Sequence, residues 1–416
     1  LGQSGFTAGV LGLRMLTQAV ALVLLARMLA PAAYGPYVSL SALAVMLGLV
    51  PQMGAGFLMM ARAGRGLEAI RDVWRFSWPQ VLVGGVLLLP VMVLLGRWLV
   101  AGGDVPLLAV VIIGVTELLV MPMGALLVSY VQAHDRVPFS QLLQWLPFGL
   151  RALVIPLCFF FLPAERLLAA ASLQLLAAAL GVLAISLLVS RRFGIDWQRR
   201  RADASELRQG AGYMAMHLVA ANPSEIDKLM ATRLVGPQEA GIFSVAARVL
   251  GAMIMPVMAL LLSAQPRLFR MAGGGHGHPA RLMALIFLLA LGWGGVCAGL
   301  LLWGAPVLYW LLGAGFAGIA PLLPWLALAA APLCLRVAAG PLLVALGHPL
   351  ERLGLELAGV LAMVGFMLWL APRYGGVGMA MALLLSETCM AVVGWLLLWR
   401  RYFRPSADAG DHVPGQ

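Results

Sequence analysis

The chain has 416 residues, of which 62% are apolar and only 11% charged, with a formal net charge of +11. Apolar runs of about 20 residues recur along its whole length, enough for a helix to cross a hydrocarbon core about 30 Å thick. Those figures exclude a soluble globular domain, and continuous runs without period-two alternation exclude a membrane β-barrel.

The predicted fold is therefore an all-α polytopic membrane protein. Twelve spans are expected at 6–29, 38–61, 76–97, 107–131, 138–162, 166–189, 210–234, 241–264, 280–304, 321–345, 350–371 and 376–400. The longest connections, near 190–209 and 265–280, read as short surface loops. That layout argues against an enzyme with a large extramembrane catalytic domain. The expected organisation is a six-helix lobe over 1–200, a second over 201–402, and a disordered cytoplasmic tail over 403–416. The first span lacks the layout of a cleavable signal and reads as a helix that stays. Leu1 in place of an initiator Met suggests that a few residues precede it.

Charge placement orients the spans. Arg62, Arg65, Arg71 and Arg75, then Arg191, Arg192, Arg199, Arg200 and Arg201, and finally Arg400, Arg401 and Arg404 fall on one side. The opposite loops carry Arg97, Arg166 and Arg373. The positive-inside rule puts both termini in the cytoplasm, as in a bacterial inner-membrane protein. The net charge is mostly this topological signal, and no nucleic-acid partner is needed to explain it. Cys158, Cys297, Cys334 and Cys389 lie in apolar spans without paired spacing, so neither a disulfide nor a metal framework is indicated. His276 and His278, in a glycine-rich stretch, read as part of a flexible loop rather than a metal site.

Charges inside spans carry the functional signal. The single lysine, Lys228, lies in Asn222-Pro223-Ser224-Glu225-Ile226-Asp227-Lys228, within the seventh span. A charge at a helix centre in the membrane costs roughly 2.5–3.5 kcal/mol on translocon-type scales and usually faces a partner or a wet path. The default reading is a transport protein. At 100° per residue Tyr213, His217, Ser224, Lys228 and Thr232 form one polar stripe with Glu225 at its edge. Asp227 projects away from it, as if to pair with another helix. Pro223 removes a backbone hydrogen bond, so a kink is expected after Asn222. Broken helices near the midplane often mark transporter sites, although prolines kink many membrane helices without touching substrate.

The chain repeats itself at half length. Arg27-Met28-Leu29-Ala30-Pro31-Ala32-Ala33-Tyr34-Gly35-Pro36-Tyr37 aligns with Arg233-Leu234-Val235-Gly236-Pro237-Gln238-Glu239-Ala240-Gly241-Ile242-Phe243, and Pro51 and Pro256 fall at nearly equivalent places. Each half has six spans, so both halves insert in the same orientation. Such parallel repeats imply a pseudo-two-fold axis along the membrane normal, with a substrate site between the halves.

The segment Leu25 to Tyr37, followed by a span ending near Gly54-Ala55-Gly56, resembles the opening of polysaccharide-biosynthesis flippases (O-antigen/exopolysaccharide, Wzx-like). These belong to the multidrug/oligosaccharidyl-lipid/polysaccharide (MOP) exporter superfamily. Ile226-Asp227-Lys228, then Gly236, then Ala240 to Arg248, is similar to the seventh-to-eighth-span segment of the same family. The resemblance implies a MATE-like fold, with two six-helix lobes in a V around a central cavity. It also implies a carrier that takes undecaprenyl-diphosphate-linked oligosaccharide from the cytoplasmic to the outer leaflet by alternating access. Membrane lipids, and a polymerase or other polysaccharide-assembly proteins, are the implied partners. No cofactor and no covalent chemistry are called for.

With that family in view, Arg14, Arg151, Arg248, Arg336 and Lys228 become candidate cavity cations for the diphosphate, which suits arginine's planar fork. Gln18, Glu117, His217, Ser224, Glu225, Asp227 and Glu387 are the polar or ion-coupling candidates. His217 titrates near neutral pH if unperturbed. The structural alternative is that Glu117, Glu225, Asp227, Glu356 and Glu387 simply pair with these cations. A carboxylate tied permanently to an arginine would stay charged and carry no proton. Three rival functions remain. A multidrug exporter of the superfamily would show acidic residues early in the first span, where this chain has Arg14 and Arg27. A peptidoglycan-precursor flippase typically has fourteen spans, and a membrane polymerase or ligase a sizeable periplasmic loop.

Overall fold

The computed structural model describes residues 2–101, 104–221, 223–258, 260–261, 279–346 and 348–402. His276, His278 and the tail expected over 403–416 lie outside the described residues. Within them the chain is helical and contains no strand. The first half comprises α1 (Gly2–Gln52), α2 (Ala55–Arg62), α3 (Leu67–Leu99), α4 (Leu107–Val115), a π turn (Thr116–Val120), α5 (Met121–Ala133), α6 (Val137–Val154) and α7 (Arg166–Phe193). The second comprises α8 (Ala204–Ala221), α9 (Pro223–Met253), α10 (Pro279–Trp303), α11 (Ala305–Leu312), α12 (Leu323–Ala345) and α13 (Pro349–Tyr402), with a 3₁₀ stretch (Ala314–Leu322) before α12.

Among the described residues, nine helices are long and apolar enough to cross a membrane. Three of the nine are each broken once by a residue with non-helical backbone angles: Ala30 in α1, Gly236 in α9 and Gly375 in α13. Each break turns one long helix into two successive passes, so the described chain folds as the twelve passes expected. The seventh pass joins α8 to the first part of α9, across Asn222, which is outside the described residues. The kink expected at that point is therefore not described either.

The repeat is visible in the backbone itself. Ala30 (φ 57°, ψ 166°) and Gly236 (φ 82°, ψ 167°) occupy equivalent positions of the two copies and turn the chain in the same way. Each precedes a proline, which disfavours helix at the residue before it. This region of backbone space is essentially reserved for glycine and costs other residues about 1–3 kcal/mol. The first copy therefore carries strain that the second avoids. Ala30→Gly is expected to raise thermal stability by about 1 kcal/mol and Gly236→Ala to lower it by about 1–3 kcal/mol, read as shifts in melting temperature in detergent. Equal small shifts of the same sign would refute this account of the turn. The third break, at Gly375, is stitched by Glu239, whose Oε2 accepts from the Gly376 N–H at 2.5 Å.

The chain divides into two compact units. One comprises Leu1–Val245, Val307–Ile319 and Tyr374–Gly376, and the other Ala246–Pro306, Ala320–Arg373 and Val377–Gln416. The core of the first is built around fully buried Trp74 and Tyr130, with Leu58, Met59, Val131 and Val189. Residues 194–203, expected as a plain surface loop, are instead strapped to this unit. Trp197 meets Trp74 and Trp78 edge-on, with centroids 5.2 and 5.6 Å away, and Asp196 pairs with Arg75 at 2.7 Å. Glu206, 4% exposed, takes 2.6 Å bonds from Arg62 and Arg200 and caps α8 by accepting from the Asp203 N–H. Burial opposes ionisation of Glu206, but the Asp203 N–H and the two arginines outweigh it and hold the carboxyl below its usual range. In the second unit Gly294 lets α10 approach the backbone of Ala331 in α12, and Trp293 Nε1 donates to the Met253 carbonyl at 2.8 Å.

Candidate functional site

Each half gathers a buried polar cluster from its fourth, fifth and sixth passes. In the first half the fourth pass supplies Glu117 from the π turn, where Gly48 and Gly85 let neighbouring helices approach its backbone. The fifth supplies Arg151 and the sixth Gln174. Arg151 Nη1 meets Glu117 Oε1 at 2.9 Å, and Nη2 donates to Gln174 Oε1 at 2.9 Å. The hydroxyl of Tyr37 donates to the same oxygen at 2.7 Å. In the second half the signs are exchanged. The tenth pass supplies Arg336, the eleventh Glu356 and the twelfth Glu387. Arg336 Nε meets Glu387 Oε2 at 2.5 Å, and Nη1 meets Glu356 Oε2 at 3.3 Å. The two glutamate side chains are 2% and 6% exposed, so this guanidinium neutralises carboxylates that water barely reaches.

Lys228 is also paired, with its own neighbour. Its Nζ lies 3.0 Å from Asp227 Oδ1, and both side chains are buried. Asp227, expected to reach another helix, thus forms an ion pair within its own turn. The contact to another helix is made through Ser39, which donates to the Lys228 carbonyl at 2.6 Å and bonds the Thr232 hydroxyl at 2.8 Å. Arg248 and Glu225 are half-buried. The side chains of His217 and Ser224 lie outside the described residues. Arg27 and Arg233, equivalent in the repeat, are exposed, and Arg233 lies over the Trp98 ring at 5.2 Å.

Arg14 differs from these paired cations. It is half-buried on the first pass, and its partners among the described residues are neutral. Its Nη1 donates to Gln144 Oε1 at 2.8 Å, and its guanidinium sits 5.5 Å from the Phe148 ring centroid. One helical turn along, Thr17 Oγ1 accepts from Trp145 Nε1 at 3.1 Å, and Gln18 is exposed. Arg14, Thr17 and Gln18 share one face of α1, and Gln144, Phe148 and Arg151 share one face of α6. Leu13, Leu16 and Val20 of α1 are exposed, as lipid-facing residues should be.

Sequence reading found the charges of these clusters but not Tyr37, Ser39, Gln144, Trp145, Phe148 and Gln174. The spacing of Gln144, Phe148 and Arg151 was the available signal. An apolar groove of about 690 Å³ in the second unit, lined by Phe287, Leu291, Leu335, Ala391 and Trp395 among others, contains no charged side chain and offers an anion nothing.

Residues 3–272 match the family described as polysaccharide biosynthesis protein. Among solved structures the chain is similar to a multidrug-resistance MATE family transporter of the MOP superfamily in an inward-facing conformation. The TM-score is 0.77 at 16% identity over 94% of each chain. It is also similar to the MATE transporter VcmN of Vibrio cholerae, with a TM-score of 0.61 and 19% identity over 96% of each chain. A third similar structure is a MOP superfamily transporter from Pyrococcus furiosus, described by the reverse polarity of its binding pocket. There the TM-score is 0.60 at 16% identity, covering 96% of this chain and 93% of that one. Comparison with curated proteins gives no match. Identities this low speak to the fold alone, whereas the family match spans well over half the sequence. The chain belongs to the polysaccharide biosynthesis protein family and has the twelve-helix fold of MOP-superfamily transporters.

Proposed function

We propose that the chain is a flippase for polyprenyl-diphosphate-linked oligosaccharide, moving repeat units from the cytoplasmic to the periplasmic leaflet of a bacterial inner membrane. It would work by alternating access, without covalent chemistry, upstream of polymerisation or ligation. The observation that carries this reading is Arg14, a half-buried guanidinium in a membrane helix whose partners among the described residues are all neutral. A charge at that depth is costly unless a wet path or an anionic ligand receives it. A diphosphate matches the planar fork of arginine and leaves the polyprenyl chain in lipid. Arg248 is a further candidate cation. Arg151, Arg336 and Lys228 already hold carboxylates, so they bind an anion only by releasing Glu117, Glu356 or Glu387, or Asp227. The same pairing bears on ion coupling, since a proton taken up by Glu117, Asp227 or Glu387 breaks an ion pair.

The test is the lipid-linked oligosaccharide pool in cells lacking the chain, with wild-type and Arg14→Ala rescue at matched protein levels. Accumulation on the cytoplasmic leaflet, relieved by wild type, is expected. Arg14→Ala should lower export by roughly 30-fold or more, equivalent to about 2 kcal/mol of lost charge-assisted bonding. Unchanged pools and normal surface glycan in the absence of any redundant carrier would sink the proposal and favour drug export.

A further inference from the structure

The side chains around Arg14 are of the kind that recognise sugars. We propose that Gln144, Trp145 and Phe148 of α6, with Thr17 and Gln18 of α1, form the subsite for the sugar nearest the diphosphate. The inference rests on the flippase reading and adds to it which residues tell one glycan from another.

A pyranose presents two chemistries: a ring of hydroxyls that needs hydrogen-bond partners, and faces of C–H groups that pack on aromatic rings. Both are met here within one turn of two adjacent helices. Gln144 spends its Oε1 on Arg14 and keeps two amide N–H donors with no partner among the described residues. The exposed Gln18 brings a further donor and acceptor one turn from Arg14. Trp145 is held by its bond to Thr17 and so presents a fixed ring rather than a mobile one. Gly149, one turn on, makes room for it, because a Cβ there would come 2.9 Å from the indole Cζ2. Phe148 lies under the guanidinium, which fixes the distance between the cation and the aromatic wall.

A lipid-facing surface does not account for this patch. Hydrocarbon gives nothing to two glutamines and an arginine, whereas the exposed Leu13, Leu16 and Val20 of the same helix are what lipid accepts. Nor does packing alone require it, since a seam of leucine or alanine would join α1 to α6 without burying charge. Arg14 bonding Gln144 directly also ties the anion-holding group to a sugar-reading one. Loss of either therefore disturbs the geometry of both.

The experiment compares two probes on the purified chain in nanodiscs: bare undecaprenyl diphosphate, and the lipid-linked oligosaccharide extracted from source cells that lack this chain and accumulate it. The readout is the ratio of their affinities. Wild type should prefer the glycosylated lipid by at least about tenfold, a floor well below what a site built to bond substrate hydroxyls can reach against a ligand lacking them. In Trp145→Ala and in Gln144→Ala the ratio should fall toward one, with melting temperature used to verify folding. Thr17→Val, which frees the indole while preserving side-chain shape, should lower the ratio without removing the ring. A preference that persists in both alanine variants, or a wild type that binds both probes equally, overturns the sugar subsite while leaving a diphosphate carrier in place. A wild type that binds neither probe overturns the flippase reading itself.

Discussion

Replacing Arg336 by alanine is expected to destabilise the folded chain by about 3–5 kcal/mol, the usual cost of stranding a buried charge. Two carboxylates are left behind, from Glu356 and Glu387, each within ion-pair distance of the guanidinium and each nearly excluded from water. The loss is attributable to them only if neutralising them restores stability. Arg336→Met combined with Glu356→Gln and Glu387→Gln should therefore recover most of it, because replacing a whole buried ion cluster by neutral groups is often close to neutral in energy. Arg151→Ala should behave in the same way through Glu117, which is 9% exposed. Arg14→Ala strands no described carboxylate, so its melting temperature should stay close to wild type while export fails. Detergent melting curves paired with export measurements separate the two kinds of arginine. If Arg336→Ala melted with wild type and Arg14→Ala did not fold, the assignment of framework and binding roles would be reversed.

How much of this was legible in the sequence follows from the physics of each feature. Span number and class were, because apolar length is a direct consequence of bilayer thickness. The half-length repeat was as well, and it pointed to the residues where the backbone turns: the aligned Ala30 and Gly236 proved to share one unusual conformation. Span ends were less accurate. Two passes can meet at a single residue such as Ala30, with no loop and hence no polar stretch to announce the turn. The buried cations were visible as charges in apolar runs, but their partners were not. Arg151 meets Glu117, 34 positions away, and Arg336 meets Glu387, 51 positions away, and nothing in a linear sequence says which helices touch. Asp227 illustrates the limit of helical-wheel reasoning. Its Cβ points away from Lys228, yet a lysine side chain is long enough to fold back onto its neighbour. Gln144 and Trp145 carry no charge, and a single amide or indole in an apolar run says nothing about which helix it meets. Only their placement around Arg14 makes them informative.

The repeat also predicts a reciprocal contact whose disruption should be severe. Gly35 and Gly241 are equivalent positions, as are Pro31 and Pro237, and the structure crosses them. A Cβ on Gly35 would overlap the carbonyl oxygen of Pro237, and a Cβ on Gly241 would overlap that of Pro31. The two helical segments that follow the breaks at Ala30 and Gly236 therefore meet backbone to backbone, which only glycine allows. Gly241→Leu should cost at least the 1–3 kcal/mol typical of overpacking, since the obstruction is main chain that has no rotamer to change. Gly35→Leu should cost a similar amount. The double variant should cost little more than either single one, because the first leucine already drives the segments apart and leaves the second without an obstacle. Such non-additivity is the mark of residues that share one contact. A double-mutant cycle by thermal melting measures it, and two additive penalties would mean that the glycines are needed separately.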